Sequence, residues 1–406
     1  MKSDEVLDEV ITQNVYITPS WKSQNDTITG YWTKRGWTMQ EGLLPQRLLY
    51  FTSTQIIWKC PTIVRYERGN IKKPRDEIIN GMFDGTGTEF WHCDLFTKFK
   101  AFSLYLEIYP EISPSEKYRL WYELVEDYTP RKFKRIQDRL VAISGLARMF
   151  GDMVKDTAYV AGLWKQDLLR GLLWKVRGAK LVPSKLERCA PAPLGKFPSW
   201  TWASVANETV VDVFAKTHEI VSIATIDDVS IDLVDETNPF GMVIRGVITI
   251  TGPVFRFSKL YNANWRCRGT PMSAFERHIS EIVEEESAGS VKAGSSCSSS
   301  HFVALQVARK TLSGILRHDL LILESTSDTL DDTIVYRRLG VLSLEYVSRN
   351  CIACPEFVKK IEQSRKSLRN RLGPGGNVRS REIRRCKKVL VELIKTPWPT
   401  QTVMIE

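Results

Sequence analysis

The chain has 406 residues, of which 43% are hydrophobic, and its 57 Lys and Arg outnumber 47 Asp and Glu to give a net charge of +10. This length predicts two or three domains, and the apolar content excludes a largely disordered chain. No stretch approaches the roughly 18 apolar residues of a membrane-spanning helix, and Met1–Glu5 does not resemble a secretory signal. The 8 Cys have no framework spacing, which predicts reduced thiols and a protein of the cytoplasm or the nucleus.

The positive charge is concentrated near the end of the chain. Residues 359–388 contain 12 Lys and Arg but only two acids, Glu362 and Glu382, and the remainder of the chain is neutral. Three interpretations of this basic tail stay open: a solvated extension, a nucleic-acid contact, or a nuclear-import signal at residues 384–388.

The predicted elements begin after a polar stretch, residues 1–30. The spacing i, i+3, i+4, i+7 predicts a helix from Lys34 to Leu44 with four residues on one face: Trp37, Gln40, Glu41 and Leu44. Pro45 ends this helix because it lacks an N–H group. Two strands, Leu48–Phe51 and Ile56–Trp58, follow as a hairpin.

Gln40 and Glu41 form a polar pair on a face that also carries apolar side chains. A buried polar group needs a hydrogen-bond partner. We therefore expect the pair to bond inside the helix–strand corner, to Arg35 or Arg47. A direct contact with a ligand or a partner protein is the alternative.

Residues 113–188 have a helical pattern. Apolar stripes predict a helix from Ser115 that ends at Pro130, a second over residues 136–150, and a third, buried on several sides, from Leu163 to Trp174.

The apolar period changes to two in residues 197–350, starting with the alternation of Trp200 and Trp202. Seven or more short strands predict an antiparallel sandwich or barrel. A charged and then Ser/Gly-rich stretch, residues 284–300, predicts a disordered loop. The fold class is therefore α+β, with a loop-rich region 1–112, a helical region 113–188, a β-rich region 197–350 and a basic tail 351–406.

Local motifs give no catalytic residue, no metal site and no cofactor site. Cys351 and Cys354 lack the second ligand pair of a zinc site and the βαβ context of a redox motif. The run Gly289–Ser296 has no Lys where a phosphate-binding loop requires it. His92, Cys93 and Asp94 are consecutive, so their side chains point in different directions and form no nucleophilic triad.

A longer pattern resembles a known family. The run Arg-Gly-Trp-Thr-x-Gln-Glu at residues 35–41, with Arg47 six residues later, a strand and then Trp58-Lys59-Cys60, is similar to the third motif of the fungal heterokaryon-incompatibility (HET) family. Further resemblances occur at residues 121–147, 159–164, 172–174, 198–205 and 336–340. The family's first two motifs would precede Arg35, and neither occurs in this chain, so we expect the front of the domain to be absent.

The resemblance implies a role in fungal non-self recognition that ends in programmed cell death, on a remnant of a TIR-like doubly wound α/β domain. A ligand pocket of such a domain lies at the ends of its early strands, and those strands belong to the front of the domain that we expect to be absent. We therefore expect an interaction protein with a protein partner and no catalysis. A TIR-like NAD-cleaving enzyme is the alternative, with Glu41 as its candidate carboxylate. The site residues that the family motif implies, structural or partner-binding, are Arg35, Gly36, Trp37, Thr38, Gln40, Glu41 and Arg47.

Overall fold

The structure is a computed structural model. It describes residues 31–52, 55–67, 69, 71–73, 88–156, 158–176, 197–205, 208–213, 220–257, 302–312, 315–330, 333–347 and 398–406. The predictions for residues 1–30, the loop 284–300, the run 289–296, the pair Cys351 and Cys354 and the basic tail 359–388 lie outside this part. Helices and mainly antiparallel sheets are both present, so the α+β class is confirmed.

The described residues of the N-terminal part include a 3-10 turn at Trp32–Lys34, a short α-helix and a four-stranded antiparallel sheet, whose strands follow each other in chain order. Its elements are α1 Thr38–Leu43, β1 Leu48–Phe51, β2 Ile56–Lys59, β3 Val64–Tyr66 and β4 Ile71–Lys72. The predicted hairpin of β1 and β2 is confirmed, with Leu49 opposite Trp58.

Six further helices follow among the residues that the structure describes: α2 Thr88–His92, α3 Leu95–Ile108, α4 Pro114–Tyr128, α5 Asp138–Val141, α6 Ser144–Val154 and α7 Leu168–Gly171. The start of α4 is set by Ser113, whose side chain accepts from Glu116 N at 3.3 Å, and by Pro114 in the first turn. The predicted apolar stripe of α4 is fully buried, which confirms that helix.

Two helix predictions are wrong. The stripe over residues 136–150 is split between α5 and α6. The predicted helix Leu163–Trp174 is helical only in α7 and in a short 3-10 turn before it, because Leu163–Trp164 (β6) pairs with Tyr159–Val160 (β5). Ala161 and Gly162 between them have φ of +45° and +99°, a turn that suits a tight hairpin and cannot continue a helix.

The C-terminal part is dominated by one seven-stranded sheet. The strands of this part are β7 Lys175–Val176, β8 Val211–Asp212, β9 Val221–Ser222, β10 Thr225–Leu233, β11 Val243–Phe257, β12 Phe302–Leu312, β13 Ile315–Leu330, β14 Thr333–Val347 and β15 Thr400–Ile405. β7 and β8 form a separate pair.

The sheet order is β10-β11-β15-β14-β13-β12-β9, and an additional pairing of β11 with β12 closes five of the strands into a ring. All pairs in this sheet are antiparallel except β14 with β15, which run parallel. Several strands are longer than the short runs that the sequence indicated. The alternation at residues 200–202 is not a strand, since Trp202–Ser204 is a 3-10 turn capped by Thr201.

A single core joins the helices to the sheet, extending from Met39 to Ile405. Its largest fully buried side chains include Trp121, Trp164 and Trp200. Arg338 of β14 reaches from the sheet into the helical layer, where its guanidinium lies 3.6 Å from the centre of the Trp174 ring. Within the described residues, no helix has both the length and the apolar character needed to cross a membrane.

Candidate functional site

The motif that carries the family resemblance forms a bend followed by a short helix. Arg35 is extended, with φ −89° and ψ 141°, and α1 begins only at Thr38, so the predicted helix Lys34–Leu44 is wrong over its first turn. Arg35 pairs with Lys132 in an isolated parallel bridge, and Gly36 N donates to Lys132 O at 3.0 Å. This pairing requires an extended backbone, which interrupts the helix.

Gly36 permits a close approach of an aromatic ring. A Cβ atom at this position would lie 1.9 Å from Cζ of Phe133. The Phe133 ring is 7% exposed and packs edge-on against Tyr128, with ring centres 5.3 Å apart. The same ring lies near Arg139, whose guanidinium carbon is 5.6 Å from the centre of the Phe133 ring. The glycine of the motif therefore serves packing and not chemistry.

Thr38 stabilises the bend with side-chain hydrogen bonds. Its side chain is 1% exposed, and its hydroxyl is placed to donate to the carbonyl oxygens of Trp32 and Arg35, the latter at 2.7 Å. Thr38 thus provides a hydrogen-bond donor for two carbonyl groups at the break between the 3-10 turn and α1.

Gln40 and Glu41 occupy different environments, so the expectation of a polar pair inside the corner is wrong. Glu41 is exposed, and no hydrogen bond or ion pair of its side chain occurs within the described residues. Gln40 faces α6, where a Cβ on Gly145 would lie 2.8 Å from Gln40 Oε1. That oxygen is buried without a hydrogen-bond partner in the described part of the chain. Within the described residues, no hydrogen bond or ion pair joins Arg35 or Arg47 to either side chain.

The remaining motif residues point to solvent. Arg35 and Arg47 are exposed, and Trp37 is 38% exposed. The structure therefore brings Gly36 and Thr38 into a packed corner and leaves the charged members outside it. In the described residues no group of three or more His, Cys, Asp or Glu could hold a metal ion.

Asp94 has a structural role at the start of α3. Its carboxylate accepts from Phe96 N, Thr97 N and the Thr97 hydroxyl, and forms an ion pair with Lys59 Nζ at 2.7 Å. Burial alone would raise the pKa of Asp94, but the charge and hydrogen bond of Lys59 and the bonds from Thr97 hold it below its usual value. Asp94 thus caps α3 and fixes β2 against it.

Two buried carboxylates escaped the sequence analysis. Asp167 accepts from the Tyr122 hydroxyl at 2.5 Å and from Arg170 Nε at 2.9 Å, while Asp156 accepts from the Tyr118 hydroxyl at 2.6 Å. Burial, and then the charge of Asp167, raises the pKa of Tyr122 well above its usual value. The acids lie 38 and 45 residues from their tyrosines, so no local pattern could have paired them. These networks are enclosed in the core, and we assign them to stability.

One face of the N-terminal sheet is apolar and exposed. Leu49 and Trp58 are cross-strand neighbours there and are 51% and 37% exposed. Phe51 and Ile71 on the same face are 76% and 54% exposed. In the described residues β1 pairs only with β2, so its outer edge carries unpaired backbone groups. We call Leu49, Phe51, Trp58, Ile71 and this edge the sheet surface.

A second surface went unrecognised in the sequence, although a local signal was present. The run Arg-Lys-Phe-Lys-Arg at residues 131–135 has four basic residues in five positions. The Arg35–Lys132 bridge brings it against Lys34 and Arg35. Its four basic residues are few beside the 12 Lys and Arg of residues 359–388, so charge composition alone does not distinguish the run.

Comparison of the chain with protein-family models, with characterised proteins and with solved structures finds no match in any of the three.

Proposed function

We propose that this chain is an interaction protein of fungal non-self recognition, acting without catalysis of its own in a response that ends in cell death. The HET-like motif, with the TIR-like domain remnant that it implies, motivates the biological setting. The observation that carries the molecular role is the sheet surface, an exposed apolar face beside a strand edge that has no partner strand in the described part of the chain.

The composition of the sheet surface suits a protein partner. Exposed apolar patches on globular proteins mark interaction sites, and aromatic side chains and Arg are enriched in them. Leu49, Phe51 and Trp58 supply the apolar contact, and exposed Arg65 lies between Trp58 and Ile71 in the cross-strand row. A partner that covers this face removes aromatic area from water, which is favourable by about 25 cal/mol per Å² of apolar surface.

The edge of β1 offers a second mode of contact. Protein sheets protect their edges with charged or Pro residues, but Leu48–Phe51 contains neither. An extended partner segment that pairs with β1 would gain main-chain hydrogen bonds, while its side chains meet Leu49 and Phe51. We propose strand addition at β1 as the mode of binding.

The NAD-cleaving alternative has less support. It needs a carboxylate held rigidly against the ribose, and Glu41 is exposed without a hydrogen bond in the described residues. The cellular setting is proposed to be reducing, the cytoplasm or the nucleus, in accord with the free thiols of Cys60 and Cys93.

The sheet surface is tested by inducible expression in a filamentous fungus, with growth arrest as the readout. Leu49→Lys/Phe51→Lys should abolish the arrest, because charges then replace the apolar contact. Val234→Lys/Ile244→Lys is the matched control, since those residues are 61% and 57% exposed outside the sheet surface. Equal arrest by both variants and the parent would refute the proposed surface.

The enzyme alternative is tested on the purified chain by nicotinamide release from NAD. We expect none above the buffer level. Release that disappears in Glu41→Gln would make the chain an enzyme. The thermal melt serves as the folding control: Glu41→Gln should change the free energy of unfolding by less than about 0.5 kcal/mol, as exposed substitutions do.

A further inference from the structure

Two separate segments form one cationic surface next to the motif bend. Residues 34–35 and 131–135 contain six Lys and Arg. The Arg35–Lys132 bridge and the packing of Phe133 on Gly36 hold the segments together. Phe133 is buried while Lys132 and Lys134 on either side of it are exposed, so both cations face solvent. The cationic surface is therefore held in place before any ligand binds.

Most of its charge is not neutralised within the described residues. Arg131 pairs with Asp127 at 2.6 Å, and Lys132 pairs with Glu208 at 2.9 Å. The other four cations are exposed and have no ion pair in the described part of the chain: Lys34, Arg35, Lys134 and Arg135. Four cations that lack an ion pair in that part of the chain and lie on one surface attract a polyanion.

Aromatic rings accompany these cations. Tyr31 is 91% exposed, and Trp37 is 38% exposed. The hydrogen bond and charge of Glu208 raise the pKa of Lys132, and Tyr31 lies near enough to add to that shift. Exposed rings among basic side chains form the combination that binds single strands, since cations contact the phosphates and rings stack on unpaired bases.

We propose that this surface, Tyr31, Lys34, Arg35, Trp37, Lys134 and Arg135, binds single-stranded nucleic acid. An acidic peptide would satisfy the four cations but has no bases to stack on Tyr31 and Trp37. A duplex keeps its bases stacked on each other and gives the rings no exposed partner. The proposal is independent of the sheet surface and of the basic tail.

Fluorescence anisotropy of the full-length chain with a labelled 20-nucleotide single strand tests the proposal. Each phosphate neutralised on a single strand contributes about −0.7 to the slope of log K against log salt. Substituting Lys34, Arg35, Lys134 and Arg135 by Gln should therefore weaken binding at least about tenfold and reduce the slope by up to about 3 units. Tyr31→Ala/Trp37→Ala should weaken binding about tenfold or more and leave the slope unchanged.

The basic tail provides a control with the same loss of charge. Substituting Arg384, Arg385, Lys387 and Lys388 by Gln should reduce binding less than the four substitutions on the surface. Loss of binding only in the tail variant would overturn the proposal. Circular dichroism and thermal melts of each variant confirm that the chain is folded.

Three competitor arms define the ligand. Unlabelled poly-U and poly-dT of equal length should displace the probe, and the stronger of the two identifies the source as RNA or DNA. A duplex of that length should compete at least about tenfold more weakly, because its bases cannot stack on the rings. Displacement by poly-glutamate as effective as by the single strands would overturn the proposal and indicate an acidic protein partner.

Discussion

Within the HET-like motif, single residues differ in what they do. Gly36 and Thr38 fit the chain into a corner, while Arg35, Trp37 and Glu41 remain available at the surface. A pattern of residue types can thus contain both packing requirements and contact groups. Substitutions separate the two, because only the packing residues control stability.

Gly36→Ala tests the packing role. A methyl group here overlaps the Phe133 ring, and overpacking of this kind costs about 1–3 kcal/mol. Urea unfolding measures the loss. In a Phe133→Leu background the same substitution should cost clearly less, since the two residues share one space. An equal loss in both backgrounds would show that the ring does not cause it.

The buried environment of His318 leads us to expect that the stability of the protein depends on pH. Burial, and then the nearby charge of Arg309, lowers its pKa from 6.5 to about 4. Well above pH 6.5 the imidazole is neutral in both the folded and the unfolded state. As the pH falls towards 4 the unfolded chain takes up the proton first, so the folded state loses stability, by about 2 kcal/mol between pH 7 and pH 4.5.

Comparison with His318→Gln isolates this contribution. The variant should lose less unfolding free energy than the parent over the same pH interval, because the acids common to both chains cancel. Parallel curves for parent and variant would contradict the assignment.

For whole elements, the sequence analysis succeeded where a pattern was local. The α4 stripe and the β1–β2 hairpin each occupy neighbouring residues, and periodicity identified both. The run from Leu163 to Trp174 was wrongly predicted as one helix because it is apolar on more than one side, which hides the period. The hairpin turn at residues 161 and 162, where both φ angles are positive, is not visible in the pattern of apolar residues.

Contacts between distant elements were beyond prediction. Arg338 donates to the carbonyl oxygens of Leu172, at 3.4 Å, and Trp174, at 2.5 Å, although more than 160 residues separate them. Burial lowers the Arg338 pKa to about 9. The exposure of the site residues could not be predicted for the same reason, because it depends on the pairing of Arg35 with the distant Lys132.

Arg338→Ala tests the connection between the sheet and the helical layer. Loss of the ring contact and of the donors to two carbonyl groups should cost about 2–4 kcal/mol. Its neighbour Arg337 is the matched control, since it pairs with Glu324 nearer the surface and its loss should cost under about 1 kcal/mol. Denaturant titration measures both, and equal costs would contradict the role of Arg338.

For the whole molecule, the continuous core predicts cooperative unfolding. Because one cluster extends from Met39 to Ile405, neither the helices nor the sheet can open without exposing the interior of the other. Far-UV circular dichroism and tryptophan fluorescence should therefore give coincident melting curves. An early transition of one signal would show that the two parts are stable separately.

The position of β15 has a consequence for how the protein is made. This strand lies between β11 and β14, but its residues, 400–405, are synthesised after those of both neighbours. At about 5–20 residues per second, a ribosome needs roughly 3–10 s to pass from the end of β14 to the start of β15. During that interval the edges of β11 and β14 that later pair with β15 lack this partner, so we expect the nascent chain to depend on chaperones until β15 emerges.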